Sequence, residues 1–209
     1  MTETLDDEAA PGWDAIDAAV ALLYPGQAPR HVGYHPPRGF VGGALQGCSA
    51  YVADGHWHYI TYGLSELYQP GPDADPEWSG WGFELTLRVR RGPETEPPAW
   101  PFSMLQELAK HVNTRRVLLE PGHRIDLRQP VTGYPHLPDA PETALTVYAL
   151  LTDAELGTIA TPNGRVAFLQ VVGVTAEEKA AMLDTSTKAV LAGIAAANPL
   201  LVTDPARAR

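Results

Sequence analysis

What most constrains this chain is a set of strand-length segments in which bulky and β-branched residues alternate with polar ones. In FELTLRV, beginning at Phe83, the residues Phe83, Leu85, Leu87 and Val89 alternate with Glu84, Thr86 and Arg88. Successive side chains on a strand point to opposite faces, so this period of two predicts a strand with one face buried. HWHYITYG over positions 56–63 reads the same way, CSAYVA from Cys48 is strand-like, and TALTVYALL supplies another strand. LGTIATPNGRVAFLQVVGV predicts a hairpin turning at Pro162-Asn163-Gly164, because Asn-Gly between β-branched runs is a strong hairpin signal.

Helical patterns flank these strands. GWDAIDAAVALLYPG places Trp13, Ile16, Val20 and Leu23 at helical spacing, and Pro25-Gly26 closes the pattern. Met104, Leu105, Leu108 and Val112 predict a second helix after Ser103. Thr175 and Glu178 have the spacing of a capping box, and an Ala-rich helix is expected from there to about Ala197, where Asn198-Pro199 ends it. Gln27 to Gly47 predicts an irregular loop with at most a short strand around His31 to Tyr34; Gly39, Gly42 and Gly43 serve turns. GLSELYQPGPDADPEWSGWG is a long connection, GHRIDLRQPVTGYPHLPDAPE has no clear pattern, and LLVTDPARAR allows one last short strand. With no repeat and no regular βαβ rhythm, the expected fold is α+β: a mixed, mostly antiparallel sheet flanked by helices, like an α/β/α sandwich.

The 209 residues, 44% apolar, suffice for one core. One domain is expected over 12–204, with tails at 1–11 and 205–209. The acidic start lacks a secretory pattern, and no apolar run approaches the roughly 20 residues of a membrane span. Cys48, the only cysteine, excludes an internal disulfide and a thiolate-rich zinc site, so a cytoplasmic address is expected. The net charge of -10 opposes nucleic acid and anionic membranes and favours a cationic protein partner, although acidity for solubility alone explains it equally well.

Chemical constellations are sparse. His56 and His58 share one strand face and are the sharpest candidates for a metal, but no tight spacing supplies a third ligand; a hydrogen-bonded strand face is the competing reading. On the enzymatic alternative, a metal-dependent hydrolase, Glu84 would act as base. Other carboxylates, Glu66, Asp73, Asp75 and Glu77, lie in or beside the central connection, where Asp73 to Glu77 read as solvated loop charges. No nucleophile elbow, phosphate-binding loop or cofactor motif is present. Tyr68, Trp78 and Trp81 accompany the acids in that connection, and aromatics beside carboxylates in a long loop suggest a protein-contact surface.

Four segments, HWHYITYGLSELY at 56–68, SGWGFELTLRVRR at 79–91, PPAWPFSMLQELAKHV at 97–112 and TPNGRVAFLQVVGVTAEE at 161–178, resemble in order and spacing the Suppressor of fused family. The ending PLLVTDPARAR is similar to that domain's closing segment, so the resemblance runs from about Gly12 to Arg207. It implies helices sandwiching a mixed sheet, no catalytic activity and no cofactor. It also implies recognition of a short peptide as an added strand. Acidic positions matching GLSELY and GFELT point to Glu66 and Glu84, expected to share one groove. The chain stops where the animal proteins' second domain would begin, so half of their cleft is expected to be missing. Stand-alone bacterial members imply an immunity protein that neutralises a basic toxin, with an intracellular adaptor as the competing role.

Overall fold

The computed structural model describes residues 9–34 and 45–207. Among them are eight strands, β1 (Arg30–Gly33), β2 (Gly47–Ala53), β3 (His56–Tyr62), β4 (Trp78–Arg90), β5 (Arg124–Asp126), β6 (Leu145–Thr152), β7 (Thr158–Thr161) and β8 (Gly164–Thr175). They form one sheet in the order β1-β2-β3-β4-β8-β6-β5, with β7 paired to β8 outside that path. Only β4 and β8 run parallel; all other strand pairings are antiparallel. The expected mixed, mostly antiparallel sheet is what forms.

Four helices pack on it: α1 (Pro11–Leu23), α2 (Trp100–Arg115), α3 (Ala176–Asp184) and α4 (Thr187–Ala195). Leu105, Leu108 and Val112 of α2 join Trp57, Tyr59, Phe83, Leu85 and Leu87 in the larger core. On the opposite face α1 brings Ile16 and Val20 against Ile60, Tyr62 and Phe168, while Met182 of α3 and Leu191 of α4 meet Val147, Ala149 and Val172. The polar face of β4 is therefore covered as well. Glu84, Thr86 and Arg88 are fully buried, so the expectation of one open face is corrected: alternation here separates an apolar core from a buried polar row.

Other local expectations resolve similarly. Thr161 pairs with Gly164 across the expected hairpin turn. Thr175 accepts from the Glu178 backbone and Glu178 accepts from that of Thr175, completing the capping box. The long final helix is instead two, because Ser186 leaves helical geometry and its hydroxyl caps α4 by accepting from Ala189 N. α2 starts at Trp100, ahead of Ser103, with Pro101 in its first turn, where a missing N–H costs little. β5 was not visible as a pattern because it is only three residues long. The closing segment reduces to one parallel bridge between Val89 and Thr203. Gly39, Gly42 and Gly43 lie outside the described residues.

Candidate functional site

The central connection is shorter than its composition suggested. Trp78 and Trp81 belong to β4 and not to a loop: Trp78 pairs with Arg165, and a register shift before Phe83 absorbs the glycines. Gly80 has φ +57, and a Cβ there would sit 2.7 Å from Leu64 O, so only glycine lets β4 pass so close to the 64–66 backbone. Trp81 N donates to Leu64 O at 2.8 Å.

Residues 64–68 are held from three sides. Ser79 Oγ accepts from Glu66 N at 2.9 Å. Asn163, in the hairpin turn, donates through Nδ2 to Glu66 O at 2.9 Å and to Tyr68 O. The start of α1 approaches so closely that a Cβ on Gly12 would fall 2.2 Å from Glu66 O. This backbone clamp borders a groove of about 390 Å³ lined by Glu66, Asp73, Asp75, Gly80 and Asn163, with Pro70 and Pro72 on its wall. Glu66 and Tyr68 are half-buried, while residues 69–77 are exposed. Asp75 Oδ1 accepts from Glu77 N and Trp78 N, turning the chain into β4. Beside it, Arg165 pairs with Glu77 and lies 4.4 Å over the Trp78 ring; Trp81 donates to Asn113 Oδ1 at 2.6 Å.

Glu84 does not join this surface. Its side chain is completely buried and accepts hydrogen bonds from Thr61 Oγ1, Gly63 N, Ser65 N and Ser65 Oγ at 2.6–2.9 Å. Burial pushes its carboxyl above the ordinary range, against the pull of those donors. Glu66 lines the groove and Glu84 does not, which corrects the expectation of a shared groove: Ser65 turns inward to Glu84 and its neighbour Glu66 turns out. Glu84 acts instead as a buried anchor for the turn leading to Glu66.

A second polar cluster lies beneath α1. His56 and His58 share a face of β3, with ring centroids 6.5 Å apart. His58 is fully buried; Tyr24 OH lies 2.8 Å from its Nδ1 and Asp153 Oδ2 lies 3.4 Å from its Nε2. Asp153 is bidentate to Arg88, at 2.6 and 3.1 Å, and also accepts from Thr86 Oγ1 and from Glu155 N and Leu156 N. Burial lowers His58 to about 4, so the imidazole is neutral at pH 7. Burial alone would raise Asp153, but the nearby His58 ring, the two hydrogen bonds from Arg88 and the Arg88 charge hold its carboxyl well below the usual range. A permanent guanidinium beside the imidazoles opposes a second cation. Among the described residues, no group of three or more His, Cys, Asp or Glu side chains is placed to hold a metal ion. Sequence spacing brought the two histidines together; it carried no signal for Asp153, almost a hundred residues away.

A family model described as Suppressor of fused protein (SUFU) matches residues 44–208. The Suppressor of fused homologs of Homo sapiens and Mus musculus are each 34% identical over 163 residues, covering 73% of this chain and 32% of theirs. The chain thus spans about a third of the length of these relatives. Among solved structures, a chain of the Sufu-Fu complex superposes with a TM-score of 0.85 at 27% identity, covering 96% of this chain and 92% of that one. Drosophila Suppressor of Fused gives a TM-score of 0.85 at 27% identity over 99% of this chain and 53% of that one. A chain described as a Suppressor of fused homolog from Neisseria gonorrhoeae FA 1090 gives 0.62 at 12% identity, covering 93% and 94%, a likeness of fold alone.

Proposed function

The chain belongs to the Suppressor of fused family, and on that premise we propose that it is a non-enzymatic protein-binding module whose contact surface centres on Glu66, Tyr68, Trp78 and Trp81. The observation that carries this reading is the clamp on residues 64–68: Ser79, Asn163 and the start of α1 fix the backbone while Glu66, Asp73 and Asp75 face the groove. A pre-ordered backbone loses little entropy on association, which is what a contact surface gains from such support. Glu84 contributes indirectly, by holding the 61–65 turn.

The solved Sufu-Fu complex, similar to this chain at 27% identity, supports a protein as the partner class. The net charge of -10 and the acids of the groove suit a basic partner, because complementary potentials speed encounter and reject like-charged proteins. A toxin domain neutralised in the cytoplasm fits these features, with Cys48 fully buried as a reduced thiol. The test is co-expression with basic toxin domains encoded beside the chain. Rescued growth and a complex that survives gel filtration are expected. Rescue without a complex, or a complex undiminished by Glu66→Lys combined with Trp78→Ala, contradicts the reading; stable complexes with a host regulator alone favour an adaptor.

A further inference from the structure

A separate hollow lies between α1 and the edge of the sheet, away from the Glu66 groove. Its volume is about 350 Å³, within the general range of small-ligand sites of roughly 300–1,000 Å³. Trp13, Asp17, Ala21 and Tyr24 are spaced i, i+4, i+8 and i+11, so they line one face of α1 and its C-cap. Large rings stand at the two ends of that row and the small Ala21 leaves the middle open. His31 of β1 and Ser49 and Tyr51 of β2 complete the walls.

The walls are braced. Trp13 stacks on Tyr62 at 4.6 Å between centroids, and Tyr24 stacks on Tyr51 at 5.0 Å. His31 Nδ1 lies 2.9 Å from Ser49 Oγ, and Tyr62 OH donates to Asp17 Oδ1 at 2.8 Å. Gln27 grips the Val52 backbone through both its amide atoms, at 2.6 and 3.0 Å, fixing the segment that closes one end. Burial lowers the pKa of His31, which favours a neutral ring. Among the described residues lining the hollow there is no lysine or arginine, and Asp17 is the one carboxylate.

Three of the other four tryptophans have a different kind of neighbour. Among the described residues, guanidinium groups lie over three of the five: Arg91 at 5.0 Å from Trp57, Arg116 at 6.0 Å from Trp81 and Arg165 at 4.4 Å from Trp78. Among the described residues no arginine takes that place at the buried Trp100 or at Trp13, whose ring stacks on Tyr62 and lies 5.6 Å from the tilted His31 ring at the wall of the hollow. Aromatic faces attract cations through their quadrupole, and a carboxylate at the rim adds a charge partner. We propose that the hollow formed by Trp13, Asp17, Ala21, Tyr24, His31 and Tyr51 binds an organic cation, a guanidinium or alkylammonium group. This does not rest on the Glu66 surface.

Calorimetric titration of the isolated full chain tests it with three probes: acetyl-arginine methylamide, its neutral isostere acetyl-citrulline methylamide, and tetramethylammonium. At least one cation is expected to bind about tenfold or more tightly than the neutral isostere, in keeping with a cation–π contact. Ala21→Leu, which fills the hollow from an exposed helix position, and Asp17→Asn, which keeps an acceptor for Tyr62 but removes the charge, should each weaken binding by about tenfold. A stronger response to the arginine probe assigns the cation to a protein side chain; a stronger response to tetramethylammonium assigns it to a free quaternary amine. Equal binding of citrulline, no binding of either cation, or full binding by a folded Ala21→Leu variant overturns the proposal and leaves the Glu66 surface untouched.

Discussion

Glu84 and His58 show how single residues can carry polar chemistry that has no outlet to solvent. Glu84 gathers four donors in a site without exposure, so Glu84→Ala leaves all four unpaired. Stability should fall by about 3 kcal/mol or more in urea denaturation, and Glu84→Gln, which retains one acceptor, should lose less. His58 governs acid behaviour. Its folded pKa, lowered from 6.5 to about 4 by burial, lies below its unfolded value, so the unfolded chain takes up a proton first as pH falls. Stability is therefore full above about pH 6.5 and declines towards pH 4, by up to about 3 kcal/mol. His56, also lowered by burial, acts in the same sense, whereas Glu84, raised by burial, acts in the opposite one. The comparison is thus wild type against His58→Gln: the variant should show a flatter profile between pH 4 and 6.5, and an unchanged slope would contradict the assignment.

At the scale of elements, the hairpin turn between β7 and β8 supports a surface formed by a distant segment. Asn163 donates to both Glu66 O and Tyr68 O, so Asn163→Ala should cost about 1 kcal/mol of stability and weaken partner capture about tenfold by loosening residues 66–68. Surface plasmon resonance reads the second effect, which Asn163→Asp, retaining the turn but not the donor, should reproduce. The turn itself was legible because Asn-Gly between β-branched runs has a local cause. Its grip on Glu66 was not, since 97 residues separate the partners. The same division holds elsewhere. FELTLRV announced a strand, but the burial of Glu84 and Arg88 depends on helices and a loop that pack from afar. Trp78 and Trp81 read as loop residues because two glycines and a serine masked a bulged strand. Ser186, within an apparently continuous helical pattern, is a capping residue whose role emerges only when the chain turns there.

For the whole molecule, two apolar faces of one sheet take helices on both sides, and a buried polar row occupies part of the second face. Among the described residues, no helix is long and apolar enough to cross a membrane. The net charge of -10 predicts that association with a basic partner slows as salt rises from 0.05 to 0.5 M, roughly tenfold in the on-rate with little change in the off-rate. Stopped-flow mixing separates the two rates. The central claim, that this chain engages a protein through the Glu66 surface, is tested most directly by a photo-crosslinking residue placed at exposed Asp73 and, separately, at Leu183, 63% exposed on α3. Irradiation in the source cells should give a discrete protein adduct from position 73 and none from 183; an adduct from 183 alone, or from neither, would contradict the account.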